Sequence, residues 1–114
     1  MMCTQMQLNQ ITGEVTREVR SILGDKVDKI ILYGSYARGD YDSESDVDMM
    51  VLADVQPAEL GAYRKQINRI ASRVGMQHDI MVTIALKDKQ FVNSHMALPF
   101  YRNVLQEGVA VYGN

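Results

Sequence analysis

The chain has a single cysteine, Cys3, among 114 residues. That excludes an internal disulfide and fits a reducing compartment, so a cytoplasmic setting is expected. Positive charge is not in surplus: 12 Lys and Arg stand against 14 Asp and Glu, a formal net charge of −2. A protein that grips a long template is expected to carry a basic stripe, so long nucleic acid is not an expected partner. No run of about 18 apolar residues occurs, so no membrane span is expected. The start of the chain, Met1 to Met6, lacks the basic segment and apolar stretch of a signal peptide. No internal repeat, low-complexity tract or linker divides the sequence. What is present is a hydrophobic fraction of 46%, ordinary for a globular chain. One domain over residues 1–114 is expected, large enough to bury roughly 65% of its unfolded surface.

The apolar periodicity alternates between helix and strand. Leu8, Ile11, Val15, Val19 and Ile22 recur at helical spacing, and Gly24 stands where that helix would stop. A turn over Asp25 to Asp28 leads to a strand, Lys29 to Tyr33, and a second strand follows from Val47 to Leu52. Pro57 suits the first turn of a second long helix, carried by Leu60, Tyr63, Ile67, Ile70 and Val74 and expected to end at Gly75. Its Arg64, Lys65, Arg69 and Arg73 form a solvated basic face or one that meets an acidic partner. His78 to Ile84 is rich in β-formers and predicts a third strand. Short helices are expected over Asp88 to Ser94 and Pro99 to Leu105, the latter stopped by Gly108, with a closing strand from Val109 to Tyr112. Phe91, Met96, Leu98 and Phe100 read as core or as a partner surface. The fold class is therefore α/β, a small mixed β-sheet with helices packed mainly on one face.

The chemistry concentrates in two neighbouring stretches. Gly34-Ser35-Tyr36-Ala37-Arg38-Gly39 follows the first strand, and Ser45-Asp46-Val47-Asp48 opens the second. Residues i and i+2 of a strand share a face, so Asp46 and Asp48 project side by side. At ~6 Å and an effective dielectric of ~20 their repulsion is about 3 kcal/mol. A hard cation with oxygen ligands removes it, and Mg²⁺ takes one or two carboxylates beside water and substrate phosphates. Mn²⁺ suits the same ligands. A lone Asp-x-Asp also fits a polar strand entrance that caps a loop. The upstream turn favours the site: Gly34 lets backbone approach a ligand closely, and Ser35 adds a hydroxyl where amides can converge on phosphate. Arg38, a planar donor fork, could hold phosphate or lock the loop to a carboxylate. Ser45 either braces the loop beside the metal or makes a plain turn. His78 would point to the opposite strand face from Asp79 and reads as a packing or surface residue, His95 has no spaced partner, and zinc is unsupported.

Gly34-Ser35-x-Ala37-Arg38-Gly39 followed by Ser45-Asp46-x-Asp48 resembles the signature of the DNA polymerase β-type nucleotidyltransferases, and within them the minimal nucleotidyltransferases (MNT) encoded beside HEPN-domain proteins as toxin–antitoxin pairs. The resemblance covers nearly the whole chain and implies a polymerase β-like palm. It implies one or two Mg²⁺ ions at Asp46 and Asp48, with ATP phosphates against Gly34, Ser35, Arg38 and Ser45. It also implies a third carboxylate on a neighbouring strand that completes the metal site and helps deprotonate the acceptor, and Asp79 matches that place. The implied partner is a HEPN-domain ribonuclease toxin in a hetero-oligomer, silenced by transfer of AMP to a tyrosine. Two other readings stay open: an antitoxin acting by occlusion alone, and an enzyme acting on a small acceptor such as an aminoglycoside.

Overall fold

The computed structural model describes residues 3–113. Helix α1 (Gln5–Leu23) opens on Thr4, whose side chain accepts from the Gln7 amide while Gln7 reaches back to the Thr4 amide. This reciprocal cap satisfies two donors that a helix start leaves unpaired. Gly24 ends the helix with φ 57°, as expected. A short 3₁₀ turn, Gly24–Lys26, then feeds β1 (Val27–Tyr33), which begins two residues before the expected start. The four-residue α2 (Ser35–Arg38) follows Gly34, and β2 (Val47–Ala53) lies beyond a loop. Next come α3 (Pro57–His78), β3 (Val82–Asp88), α4 (Lys89–Ser94), α5 (Pro99–Glu107) and β4 (Val109–Tyr112).

The sheet order is β3-β2-β1-β4. β1 runs antiparallel to both β2 and β4, whereas β2 and β3 are parallel, joined by the long α3. The sheet is mixed, as the sequence predicts. Period-two alternation divides its side chains between two cores. Ile30, Leu32, Val47, Met49 and Val51 enter the larger core beneath α1 and α3. Ile31, Met50 and Leu52 face the other way and pack with Val92, Tyr101 and Val104 of α4 and α5. The two long helices thus share one face, and the short C-terminal helices cover part of the second. Each fully buried Val, Leu or Ile contributes roughly 1.5–3 kcal/mol, so β2, buried along both faces, anchors the sheet.

The two differences from the sequence reading that bear on the site share one reason. Gly75 does not end α3. It lies buried inside the helix, where an added Cβ would sit 2.7 Å from the Ile80 carbonyl oxygen. The missing side chain lets the returning chain cross the helix closely. The helix runs three residues further and ends at Asp79, in the left-handed region at φ 53°. The Ile80 amide donates to the Gly75 carbonyl at 3.0 Å and closes the turn. β3 accordingly starts at Val82 rather than His78. His78 is the last residue of α3, its Nε2 3.3 Å from Glu14 of α1. Among the described residues no helix is long and apolar enough to cross a membrane.

Candidate active site

The end of β1 and the start of β2 are held side by side, with Tyr33 opposite Asp48 in antiparallel register. Gly34 sits between them at φ 78° and ψ −157°. This region of backbone space is essentially open to glycine alone, and another residue there costs of order 1–3 kcal/mol. The conformation has a spatial purpose as well. A Cβ at Gly34 would lie 2.6 Å from Asp48 Oδ2, so the bare backbone makes room for that carboxylate. The Ala37 and Arg38 amides both turn back to the Gly34 carbonyl, at 3.1 Å each, and close α2. Tyr36 is buried beneath the turn, and its hydroxyl accepts from the Cys3 amide at 3.0 Å. Burial, the largest influence, raises the Tyr36 phenol above its ordinary range.

A cleft of about 420 Å³ opens at this junction, with Gly34, Ser35, Arg38 and Asp48 on one side. Tyr33 lies at its base, and Phe100, Asn103 and Glu107 of α5 form the opposite wall. Burial raises the Tyr33 phenol, and the nearby negative charge of Asp48 adds to the shift. Phe100 meets Tyr33 edge-on, with centroids 6.0 Å apart. Gly108 holds the end of α5 against β1: its missing Cβ would meet Ile31 and the Leu32 carbonyl. A more open hollow along α3, lined by Lys65, Arg69 and Met76, is larger at about 670 Å³ but contains no acidic side chain.

The expected site residues separate into those brought together and those placed elsewhere. Gly34, Ser35, Arg38 and Asp48 converge on the cleft. Arg38 also pairs with Asp40 at 3.2 Å, both side chains being exposed. Asp46 precedes β2 by one residue, half-buried, with no hydrogen bond or ion pair among the described residues. Ser45 does not line the cleft. Its hydroxyl accepts from the Asp42 amide at 2.9 Å and braces the loop.

Asp79 is the correction. It does not open the third strand; it caps α3, exposed, and lines a separate hollow with Gly75 and Met81. Among the described residues no group of three His, Cys, Asp or Glu side chains is placed to hold a metal. The residue that stands beside Asp48 on β3 is Thr83, whose Oγ1 donates to Asp48 Oδ1 at 2.7 Å. Sequence reasoning missed both Thr83 and the α5 wall. The wall left no motif, but the β-former run through Thr83 did carry a signal, because its register depended only on where α3 stopped.

The donor set fits a divalent cation. Mg²⁺ needs no more than one or two carboxylates when phosphates and water supply the rest. Asp46 is uncommitted, Asp48 keeps Oδ2 beside the bare glycine, and Ser35 lies on the same cleft.

Strand, glycine turn and acidic strand entrance define the class, and comparison with known proteins agrees. The family described as nucleotidyltransferase domain matches residues 14–111, so the chain belongs to the nucleotidyltransferase family. It is 39% identical over 89 residues to MJ0141 of Methanocaldococcus jannaschii, named as a candidate protein adenylyltransferase, spanning 78% of this chain and 88% of that one. A second candidate protein adenylyltransferase of that organism, MJ0604, is 29% identical over 99 residues, spanning 87% and 92%. Among solved structures, a toxin–antitoxin complex with AMP-PNP aligns at TM-score 0.60 and 20% identity, over 90% of this chain and 73% of that one. A candidate minimal nucleotidyltransferase aligns at TM-score 0.55 and 18% identity, over 94% and 98%. The MNT antitoxin complex with a tri-AMPylated HEPN toxin of Shewanella oneidensis aligns at TM-score 0.53 and 16% identity, over 94% and 73%. At such identities these structures establish the shared fold.

Proposed function

We propose that this nucleotidyltransferase is a Mg²⁺-dependent protein adenylyltransferase, the antitoxin of a HEPN/MNT pair, which transfers AMP from ATP to a tyrosine hydroxyl of its partner toxin and so inactivates it. The observation that carries the reading is the cleft in which Asp48 faces the Gly34-Ser35 turn across the space of a missing Cβ. The names of the relatives support protein as the acceptor, and the toxin–antitoxin complexes among the structures of the same fold support the kind of partner.

Asp46 and Asp48 would hold the metal, which supplies charge stabilisation to attacking and leaving oxygens. The chain's own part is positioning, which accounts for most of the catalysis of phosphoryl-group transfer. Gly34 presents backbone without steric obstruction, Ser35 offers a hydroxyl donor to phosphate, and Arg38 adds a guanidinium at the mouth. The acceptor oxygen attacks the α-phosphorus of ATP, the bond to the bridging oxygen breaks, and pyrophosphate leaves as the tyrosine proton passes to solvent or a nearby base. No covalent enzyme intermediate is required.

The test is intact-mass spectrometry of the genomic neighbour after co-expression with wild type or with the Asp46→Asn/Asp48→Asn variant. An added adenylyl mass with wild type alone is the expected result. A stable complex without added mass in either sample, even with MgATP supplied, would overturn transfer in favour of occlusion. Absence of both complex and mass change would redirect the search to small acceptors such as aminoglycosides.

A further inference from the structure

We infer that Thr83 is the positioning residue of Asp48, and that a neutral hydroxyl takes the place on β3 where the sequence reading had expected a third carboxylate. The inference rests on the proposed metal-assisted transfer and concerns how its acidic site is built.

Three observations converge on Thr83. The parallel register pairs it directly with Asp48. Its neighbours Val82 and Ile84 point into the larger core, so alternation turns Thr83 to the face that carries Asp48. The contact between them is a short hydroxyl-to-carboxylate hydrogen bond of 2.7 Å, in the range of charge-assisted bonds. Thr83 is also β-branched and stiff at χ1, so the donor is held by its own backbone.

Asp48 is consequently anchored through one oxygen, leaving the other to a ligand. Oδ1 accepts a hydrogen bond from the Thr83 hydroxyl, and Oδ2 lies where a Gly34 side chain would begin. A carboxylate fixed this way loses little rotamer freedom on taking a cation, and the partners that orient ligands typically govern metal affinity by 10–100-fold. The neutral hydroxyl has a second consequence. A third carboxylate in that place would repel Asp48, whereas threonine orients it without adding charge. Asp79, exposed at the end of α3 and lining a different hollow, has no part in the site.

The test is Mn²⁺ binding to the purified chain without nucleotide, followed by electron paramagnetic resonance of the free ion, alongside transfer kinetics. Thr83→Val removes the hydroxyl at nearly constant volume and is expected to weaken Mn²⁺ about tenfold or more. It should lower kcat while leaving KM for the nucleotide nearly unchanged at saturating metal. Thr83→Ser should restore both to within about threefold, which a purely structural role would not require. Asp79→Asn should bind and transfer as wild type does. If Thr83→Val does not fold, Thr83→Ala carries the same readout. Equal Mn²⁺ affinity in wild type and the Val or Ala variant, or loss of binding in Asp79→Asn, would overturn the inference alone. A wild-type chain that binds no Mn²⁺ would overturn the metal-site reading and the inference together.

Discussion

Two segments of this chain look alike in sequence and behave differently in space. Each has a glycine, then an aspartate, then a run of β-formers: Gly34 with Asp48 at the start of β2, and Gly75 with Asp79 before β3. At the first, the glycine is outside any helix and its absent side chain leaves room for the carboxylate of the next strand. At the second, the glycine is inside a helix and its absent side chain leaves room for the main chain of Ile80. Both glycines are required by close approach, but one approach concerns a functional group and the other only packing. The aspartates follow suit. Asp48 enters the strand and faces the cleft, while Asp79 ends the helix and faces solvent. What distinguishes a site glycine from a packing glycine is the neighbour that it admits.

The sharpest way to test this contrast is to neutralise the two sets of carboxylates separately. Asp46→Asn/Asp48→Asn should lower transfer by about a thousandfold or more, since a metal-held site supplies several kcal/mol of charge stabilisation. Asp79→Asn should stay within about twofold of wild type, measured by adenylyl incorporation into the partner. A large loss from Asp79→Asn would erase the distinction.

The glycines come next in size. Gly34→Ala should destabilise the fold by about 1–3 kcal/mol through its backbone region, and it should also displace the Asp48 carboxylate and weaken Mn²⁺. Gly75→Ala gains about 1 kcal/mol of helix propensity but drives a methyl into the Ile80 carbonyl, an overpacking cost of about 1–3 kcal/mol. A net loss in urea melts with transfer per folded molecule retained is expected. If Gly75→Ala abolished Mn²⁺ binding in folded protein, the two glycines would no longer differ in kind.

Most of the fold was legible because periodicity and turn chemistry agreed. α1, its stop at Gly24, the Pro57 start, the short C-terminal helices and the closing strand all stand where apolar spacing placed them. Half of the cleft was legible too, because Gly34, Ser35, Arg38 and Asp48 are neighbours across one hairpin-like connection. The β3 side failed at a single step. Reading Gly75 as a stop moved the third strand four residues too early, and that shift offered Asp79 in place of Thr83. A glycine needed for tertiary contact has the same letter as one needed for a turn, and local sequence does not record which neighbour passes over it. The α5 wall has a similar cause: Phe100 and Asn103 reach the cleft only because Gly108 lets the helix end approach β1.

The smallest effect expected separates the two phenols beside the glycine turn from the rest of the fold at alkaline pH. Tyr33 and Tyr36 flank Gly34, and burial raises both above the ordinary tyrosine value near 10. In the unfolded chain they ionise near pH 10, whereas in the folded chain they remain protonated to higher pH. The unfolded state therefore binds fewer protons above that point, and stability falls as pH rises. The contribution is fully present below pH ~10 and is lost progressively as pH climbs toward the raised folded values. Lys26, raised chiefly by its hydrogen bond to Tyr63, acts in the same direction, so the tyrosines must be replaced to isolate their share. Tyr33→Phe/Tyr36→Phe should flatten the decline in urea-melt midpoint between pH 9.5 and 11, relative to wild type. Near neutral pH the same variant should be less stable by about 1 kcal/mol, because the buried Cys3 amide loses its acceptor on Tyr36. An unchanged alkaline decline would mean that the two phenols titrate as they do in solvent, and that the floor beneath the glycine turn is wetter than its packing indicates.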